Sequence, residues 1–267
     1  MPQPAETLRD TQSASRDAEY EQPLTERLRT FLRLEFLYQQ TLFHAEGDAD
    51  WSSRAAIASL LEITAILLRG DVRSEVLKEL ERQIDALKRF QSQPGVDTGR
   101  LGSILGTLTE LRGELRATGP HYLQPLKDCE FLSAIKHRSA IPGGTCEFDL
   151  PDYSHWLRQP YERRQGDLES WIRTLRPLCD AVMEMMWITR EGAPIEDVCA
   201  EGGMFQHSVG KEVPCRLLRV ILPHGATVFP EISGSRHRFT IRFMRWNNDE
   251  KHAEPVRDDI EFQLSVC

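Results

Sequence analysis

The spacing of apolar residues changes period within this chain, and that change restricts the folds open to it. From Leu24 to about Arg138 the apolar positions recur at steps of three and four, which gathers them on one face of a helix. Leu24, Leu28, Phe31, Tyr38 and Leu42 form a first stripe, and Ile57, Leu60, Leu61, Thr64, Leu67 and Leu68 form a second that ends at Gly70. A third, Val76 to Leu87, stops at Pro94-Gly95. A fourth, Leu101 to Leu115, opens on Asp97 or Thr98 as a cap and closes near Gly119-Pro120. A shorter helix starts near Pro125 and carries Phe131, Leu132 and Ile135. From about Cys199 to the C-terminus the period is two instead. Phe239, Ile241 and Phe243 alternate with Arg238, Thr240 and Arg242, and Ile260, Phe262, Leu264 and Val266 alternate with Glu261, Gln263 and Ser265. Strands with one apolar and one polar face build an antiparallel sheet packed on a core.

Between these regions the periods mix. After the turn chemistry of Pro142-Gly143-Gly144, Cys146, Phe148 and Leu150 alternate with polar neighbours, which predicts a strand over 145–150. Helical spacing returns with Leu168, Trp171, Ile172 and Leu175 and runs on to Met186, with Pro177 marking a kink or a fresh start. A strand followed by more helix predicts interleaved domains. The expected fold class is α+β: a helical bundle domain interleaved with an antiparallel β-sandwich domain. The bundle takes 24–140 and the returning helices 160–191, and the sandwich takes 141–158 and 198–267. Residues 1–17, polar with few apolar groups, read as a flexible tail.

No apolar run approaches the roughly 20 residues of a membrane span, the best stretch being Ala181 to Ile188, and the start shows no secretory signal. The six cysteines, at 129, 146, 179, 199, 215 and 267, form no CxxC pair and are expected as free thiols. Common catalytic and nucleotide signatures are missing: there is no HExxH, GxSxG, GxxxxGKS or GxGxxG. Cys199, His207 and Cys215 are the nearest approach to a metal grouping, but their spacing fits no zinc pattern. His155, His207 and His237 are the residues an enzyme reading would have to use, and the acidic pairs Glu79/Glu81 and Asp258/Asp259 read as solvated faces. The expectation is a non-enzyme with no cofactor and no metal.

One segment runs against the charge of the chain. The net charge is −8, from 33 Lys and Arg against 41 Asp and Glu, yet RHRFTIRFMR (236–245) holds four arginines and no acid. On a strand, Arg236, Arg238 and Arg242 share one face while Phe239, Ile241 and Phe243 point inward. Guanidinium forks held on a sheet suit carboxylates or phosphates. Intramolecular partners such as Glu231 or Glu261 are the bland alternative. Arg69 and Arg73 around Gly70-Asp71, and Lys136, His137 and Arg138 before the Pro-Gly-Gly turn, are further basic spots at helix ends. A nucleic-acid interface using this strand with Trp246 and Phe239 is the other functional class, weakened by the acidic total and by aromatics that alternate inward.

The strings RLRTFLRLEFLYQQ (27–40), RGDVRSEVLKELERQ (69–83), IPGGTCEFDLP (141–151) and FPEISGSRHRFTIRFM (229–244), with the ending DIEFQLSVC, resemble the ZapD family of bacterial cell-division proteins. The resemblance runs from about Glu21 to Cys267. It implies a cytoplasmic homodimer at the mid-cell division ring, without enzymatic activity. Such a protein would bind the C-terminal tail of the tubulin-like GTPase FtsZ in a basic cleft and cross-link protofilaments. Carried onto this sequence, the family's cleft arginines fall on Arg69, Arg238 and Arg242, with Arg138 a weaker match.

Overall fold

A computed structural model describes residues 17–91, 93, 95–208 and 215–267. The tail expected over 1–17 therefore lies outside the described residues as far as position 16. The chain divides into two compact units, one formed by both ends (up to Arg29 and from Arg190) and the other by Thr30–Thr189. The fold is α+β, with a helical bundle and antiparallel sheets.

In the helical unit, α1 (Glu26–Ala45), α2 (Asp50–Arg69), α3 (Val72–Phe90) and α4 (Thr98–Ala117) follow the four stripes. Side chains one and two turns apart enter the core: Ile57, Leu60 and Ile63 on α2, and Val76, Leu80 and Ile84 on α3, are at most 1% exposed. Asp71 caps α3 by accepting the Ser74 N–H (3.2 Å), and Asp97 caps α4 by accepting that of Arg100 (2.9 Å), which satisfies donors a helix start leaves orphaned. Two short helices follow, α5 (Gln124–Lys127) and α6 (Glu130–Ser139), then α7 (Pro151–Leu157) and the 31-residue α8 (Tyr161–Glu191). Pro177 neither breaks α8 nor begins a new helix. Tyr38 donates a hydrogen bond to Asp180 Oδ1 (2.7 Å), and burial raises the Asp180 pKa above its ordinary value despite that bond. Phe131, Tyr153, Trp156 and Trp171 form an aromatic nest, with centroids 5.5–6.2 Å apart.

Three expectations are corrected in this unit. Residues 145–150 form turns rather than a strand, and 151–157 is helix, so 141–158 belongs with the bundle. The alternation there covers only three apolar positions, and Phe148 is 86% exposed instead of facing a core. Pro151 sits in the first turn of α7, where its fixed φ favours helix, and Arg54 Nη1 holds the Thr145 carbonyl (3.1 Å) against this unit. The turn before it needs its glycines: Gly143 has φ +72°, and a Cβ on Gly144 would lie 2.3 Å from the Arg138 carbonyl oxygen. Glu79 is not a solvated acid; it is 1% exposed and accepts Nη2 of Arg82 at 2.7 Å. Finally, α2 is long and apolar enough to cross a membrane by length and composition, although Arg54 and Glu62 interrupt it. Eight of its residues are buried within the protein, as a bundle core requires.

The other unit is a β-sandwich. β1 (Ala18–Pro23), β2 (Ile195–Ala200), β3 (Met204–Ser208) and β4 (Leu217–Leu222) precede β5 (Val228–Ser235), β6 (Arg238–Asn247), β7 (His252–Pro255) and β8 (Ile260–Val266). One sheet has the order β1-β4-β8-β2 and the other β3-β6-β5, with β7 also pairing β6. Every pairing is antiparallel. Phe243 of one sheet meets Phe262 of the other at 5.0 Å between centroids, inside a core that includes Val220, Phe239 and Ile241. The interleaving comes from β1, which pairs with β4 (Tyr20 opposite Val220) before the chain departs into the helices. Sequence period did not reveal β1, because its six residues hold one large apolar side chain between two glutamates.

Candidate partner-binding surface

β6 is the central strand of its sheet, and its alternation decides which side chains meet solvent. Phe239, Ile241 and Phe243 are at most 1% exposed, while Arg238 and Arg242 stand exposed on the opposite face with Thr240 between them. The register surrounds them with named neighbours. Arg238 lies between Ser208 of β3 and Ser235 of β5, and Arg242 between Met204 and Glu231. Arg238 donates through Nη2 to Gln206 Oε1, a long contact of 3.4 Å to a neutral acceptor. Among the described residues neither Arg238 nor Arg242 has a carboxylate at ion-pair distance. Glu231 is the cross-strand neighbour of Arg242, and such an opposite-charge pair contributes about 0.2–1 kcal/mol. Glu231, Ser233, Thr240 and Arg242 line an open concavity on this face. Glu261 is no partner for them, since it sits on β8 in the other sheet, opposite Cys199.

Arg236 departs from the expected row. It lies in the turn joining β5 to β6, where strand alternation no longer sets side-chain direction, and its carbonyl accepts the Cys215 N–H (3.1 Å). Arg245 is exposed beside Asp258 at 3.7 Å. In the helical unit, Arg69 is the exposed last residue of α2 and has no ion-pair partner among the described residues. Arg73 is committed internally: Nε and Nη2 donate to the Leu115 carbonyl (3.2 and 3.0 Å) and Nη2 to that of Arg116 (3.2 Å). It therefore caps the C-terminus of α4, satisfying carbonyls the helix leaves open. Arg138, in the last turn of α6, is half exposed and lies 3.7 Å from Asp149.

The comparisons with known proteins agree across both units. A model of the cell-division protein family ZapD matches residues 32–242. A protein of Methylococcus capsulatus, named Cell division protein ZapD, is 36% identical over 248 residues, 93% of this chain and 97% of that protein. Proteins of the same name from Ralstonia pickettii and Ralstonia nicotianae are each 37% identical over 249 residues, 93% of this chain and 98% of theirs. The chain belongs to the ZapD cell-division family.

Cys199, His207 and Cys215 do not converge; among the described residues the grouping within ligand reach is Glu250, His252 and Glu254, all exposed. All six cysteines are free. The Cys199 thiol is held above its ordinary pKa, by desolvation first and then by Asp259, Glu261 and Glu201, and burial pushes Cys215 up to about 12. Neither is poised as a thiolate. His155 contacts Gln159 (3.0 Å), His207 lies by Phe205 and Phe239, and His237 is in the β5–β6 turn. Phe239 is buried, which removes one of the two stacking groups a nucleic-acid interface on β6 would need. Sequence reading named Glu231 but missed Gln206 and Ser208 as neighbours of the arginines, because cross-strand register is set by pairing that no local pattern encodes.

Proposed function

We propose that this chain binds the C-terminal tail of the tubulin-like GTPase FtsZ and, as a homodimer in the cytoplasm at the mid-cell ring, cross-links FtsZ protofilaments by binding without catalysis. Membership of a cell-division family supports the setting. The observation that carries the mechanism is the outer face of β6, where Arg238 and Arg242 present planar donor forks with no carboxylate at ion-pair distance among the described residues. Core packing of Phe239, Ile241 and Phe243 fixes the strand that holds them, so they are presented on a rigid element. Arg69 supplies a further exposed cation from the helical unit, and Arg138 and the turn residue Arg236 supply weaker ones. Arg73 supports α4 instead.

Cross-linking needs two copies of one tail site on a single particle, which a twofold dimer provides. Many tails along a filament make a weak contact effective once both sites are occupied, because the second capture is intramolecular. Exposed arginine–carboxylate contacts weaken as salt screens them. The test is co-pelleting with FtsZ polymers at two ionic strengths, using intact FtsZ and FtsZ lacking its final residues. Bundles that form with intact FtsZ, thin out at high salt and vanish without the tail support the reading. Equal pelleting of both FtsZ forms contradicts it.

A further inference from the structure

The helical unit carries a groove that the arginines do not account for. Two adjoining concavities there share Leu68 and Lys127 in their linings. The wider has a volume of about 270 Å³ and lies where α2 ends and α3 begins; the narrower continues beside α5 and α6. Leu61 and Leu68, seven residues apart on α2 and hence on one face, form its floor with Leu126 of α5. Leu68 is 41% exposed, an apolar group left uncovered within a helix that otherwise buries its stripe.

Lys127 and Lys136 both line the narrower part, and both are exposed. Among the described residues neither has a carboxylate at ion-pair distance. Two neighbouring acids are already engaged. Asp128 accepts Nε2 of Gln124 (2.7 Å), and Asp71, at the far end, accepts the Ser74 N–H as the α3 cap, with hydrogen bonding from the Ser74 side chain first and its N–H second lowering the Asp71 pKa. Two uncompensated ammonium groups above an apolar floor, in a chain of net charge −8, call for an occupant with the complementary chemistry. Lysine offers a point charge on a flexible stem, so the match is to separate carboxylates and not to one planar fork.

We propose that this groove receives an acidic peptide segment, seating an aliphatic side chain on Leu61 and Leu68 with flanking carboxylates against Lys127 and Lys136. This deepens the tail-binding role and rests on it for the source of the segment. Groove chemistry and source are therefore tested separately.

The probe is a fluorescein-labelled peptide of alternating aspartate and leucine, titrated with the full chain at low ionic strength and followed by anisotropy. Wild type gives saturable binding. Lys127→Gln with Lys136→Gln weakens it about tenfold, and Leu68→Asp or a peptide with serine for leucine does the same. Lys88→Gln, at an exposed lysine in the last turn of α3 that lines neither concavity, leaves it unchanged. Near-ultraviolet circular dichroism identical to wild type shows that each variant is folded. No saturable binding, unaltered affinity in the Lys127/Lys136 variant, or loss with Lys88→Gln alone overturns the groove assignment. FtsZ pelleting that fails while peptide binding follows the expected pattern removes FtsZ as the source and leaves the groove in place.

Discussion

Arg73 and Arg164 in the helical unit are held by the fold, whereas Arg238 and Arg242 on β6 of the sandwich are displayed to solvent, and the difference separates structural cations from available ones. Arg164 is 4% exposed, and its guanidinium donates to Ser53 Oγ and to the Asp48 and Gln159 carbonyls, with Asp50 at 3.6 Å. Arg73 closes the end of α4. The sandwich makes the same distinction internally. Arg219, 8% exposed on β4, is matched by Glu19 (2.8 Å) and Glu21 (3.6 Å), while Arg238 and Arg242 on the other sheet have no ion pair of that kind among the described residues. A partner's carboxylates can compete only for guanidinium groups the protein has not already satisfied.

The contrast breaks most readily at Arg164. Arg164→Ala leaves a buried hydroxyl and two carbonyls without donors, and is expected to cost about 3 kcal/mol, read as a shift in the urea midpoint. A midpoint unmoved by that change would show that the helical unit does not depend on its buried cation. Arg73→Ala removes a partly exposed cap and should cost about 1 kcal/mol, with little rescue by Arg73→Lys, since lysine cannot reproduce the forked contact to two carbonyls.

A pH series probes the bundle from another side. Burial raises the Asp180 pKa above 3.8, so the folded state holds that proton more tightly than the unfolded chain. Its favourable contribution is present in acid and is lost as pH rises from 3.8 through the folded value. Asp180→Asn cannot ionise and keeps an acceptor for Tyr38. Its stability relative to wild type should therefore climb over that window and then level off. A constant difference at every pH would mean that Asp180 pays no ionisation cost. The smallest stability change is expected at Arg238→Ala and Arg242→Ala, within about 0.5 kcal/mol each, because exposed side chains with only long or cross-strand contacts contribute little to folding. A loss of several degrees in melting temperature would place these arginines among the structural ones.

The parts of the fold that local period governs were readable before the structure. The stripes of α1 to α4, the Asp97 cap, and the inward Phe239-Ile241-Phe243 of β6 all rest on residues a few positions apart. The misread parts depend on distant neighbours. Residues 145–150 alternate without any strand to pair with, whereas β1 hardly alternates yet finds β4 some 200 residues on. Glu79 looks like half of a solvated acidic pair until the helix phase turns it inward. The candidate surface divides in the same way. Arg238 and Arg242 follow from strand parity, but the turn at Arg236 and the internal bonding of Arg73 are products of tertiary packing.

The most direct measurement is low-speed pelleting of FtsZ polymers with the Arg238→Glu, Arg242→Glu double variant beside wild type. Circular dichroism and a urea midpoint taken on the same samples establish that the variant is folded. The account predicts that the folded variant leaves FtsZ unbundled in the supernatant. A folded variant that pellets FtsZ as wild type does would contradict it.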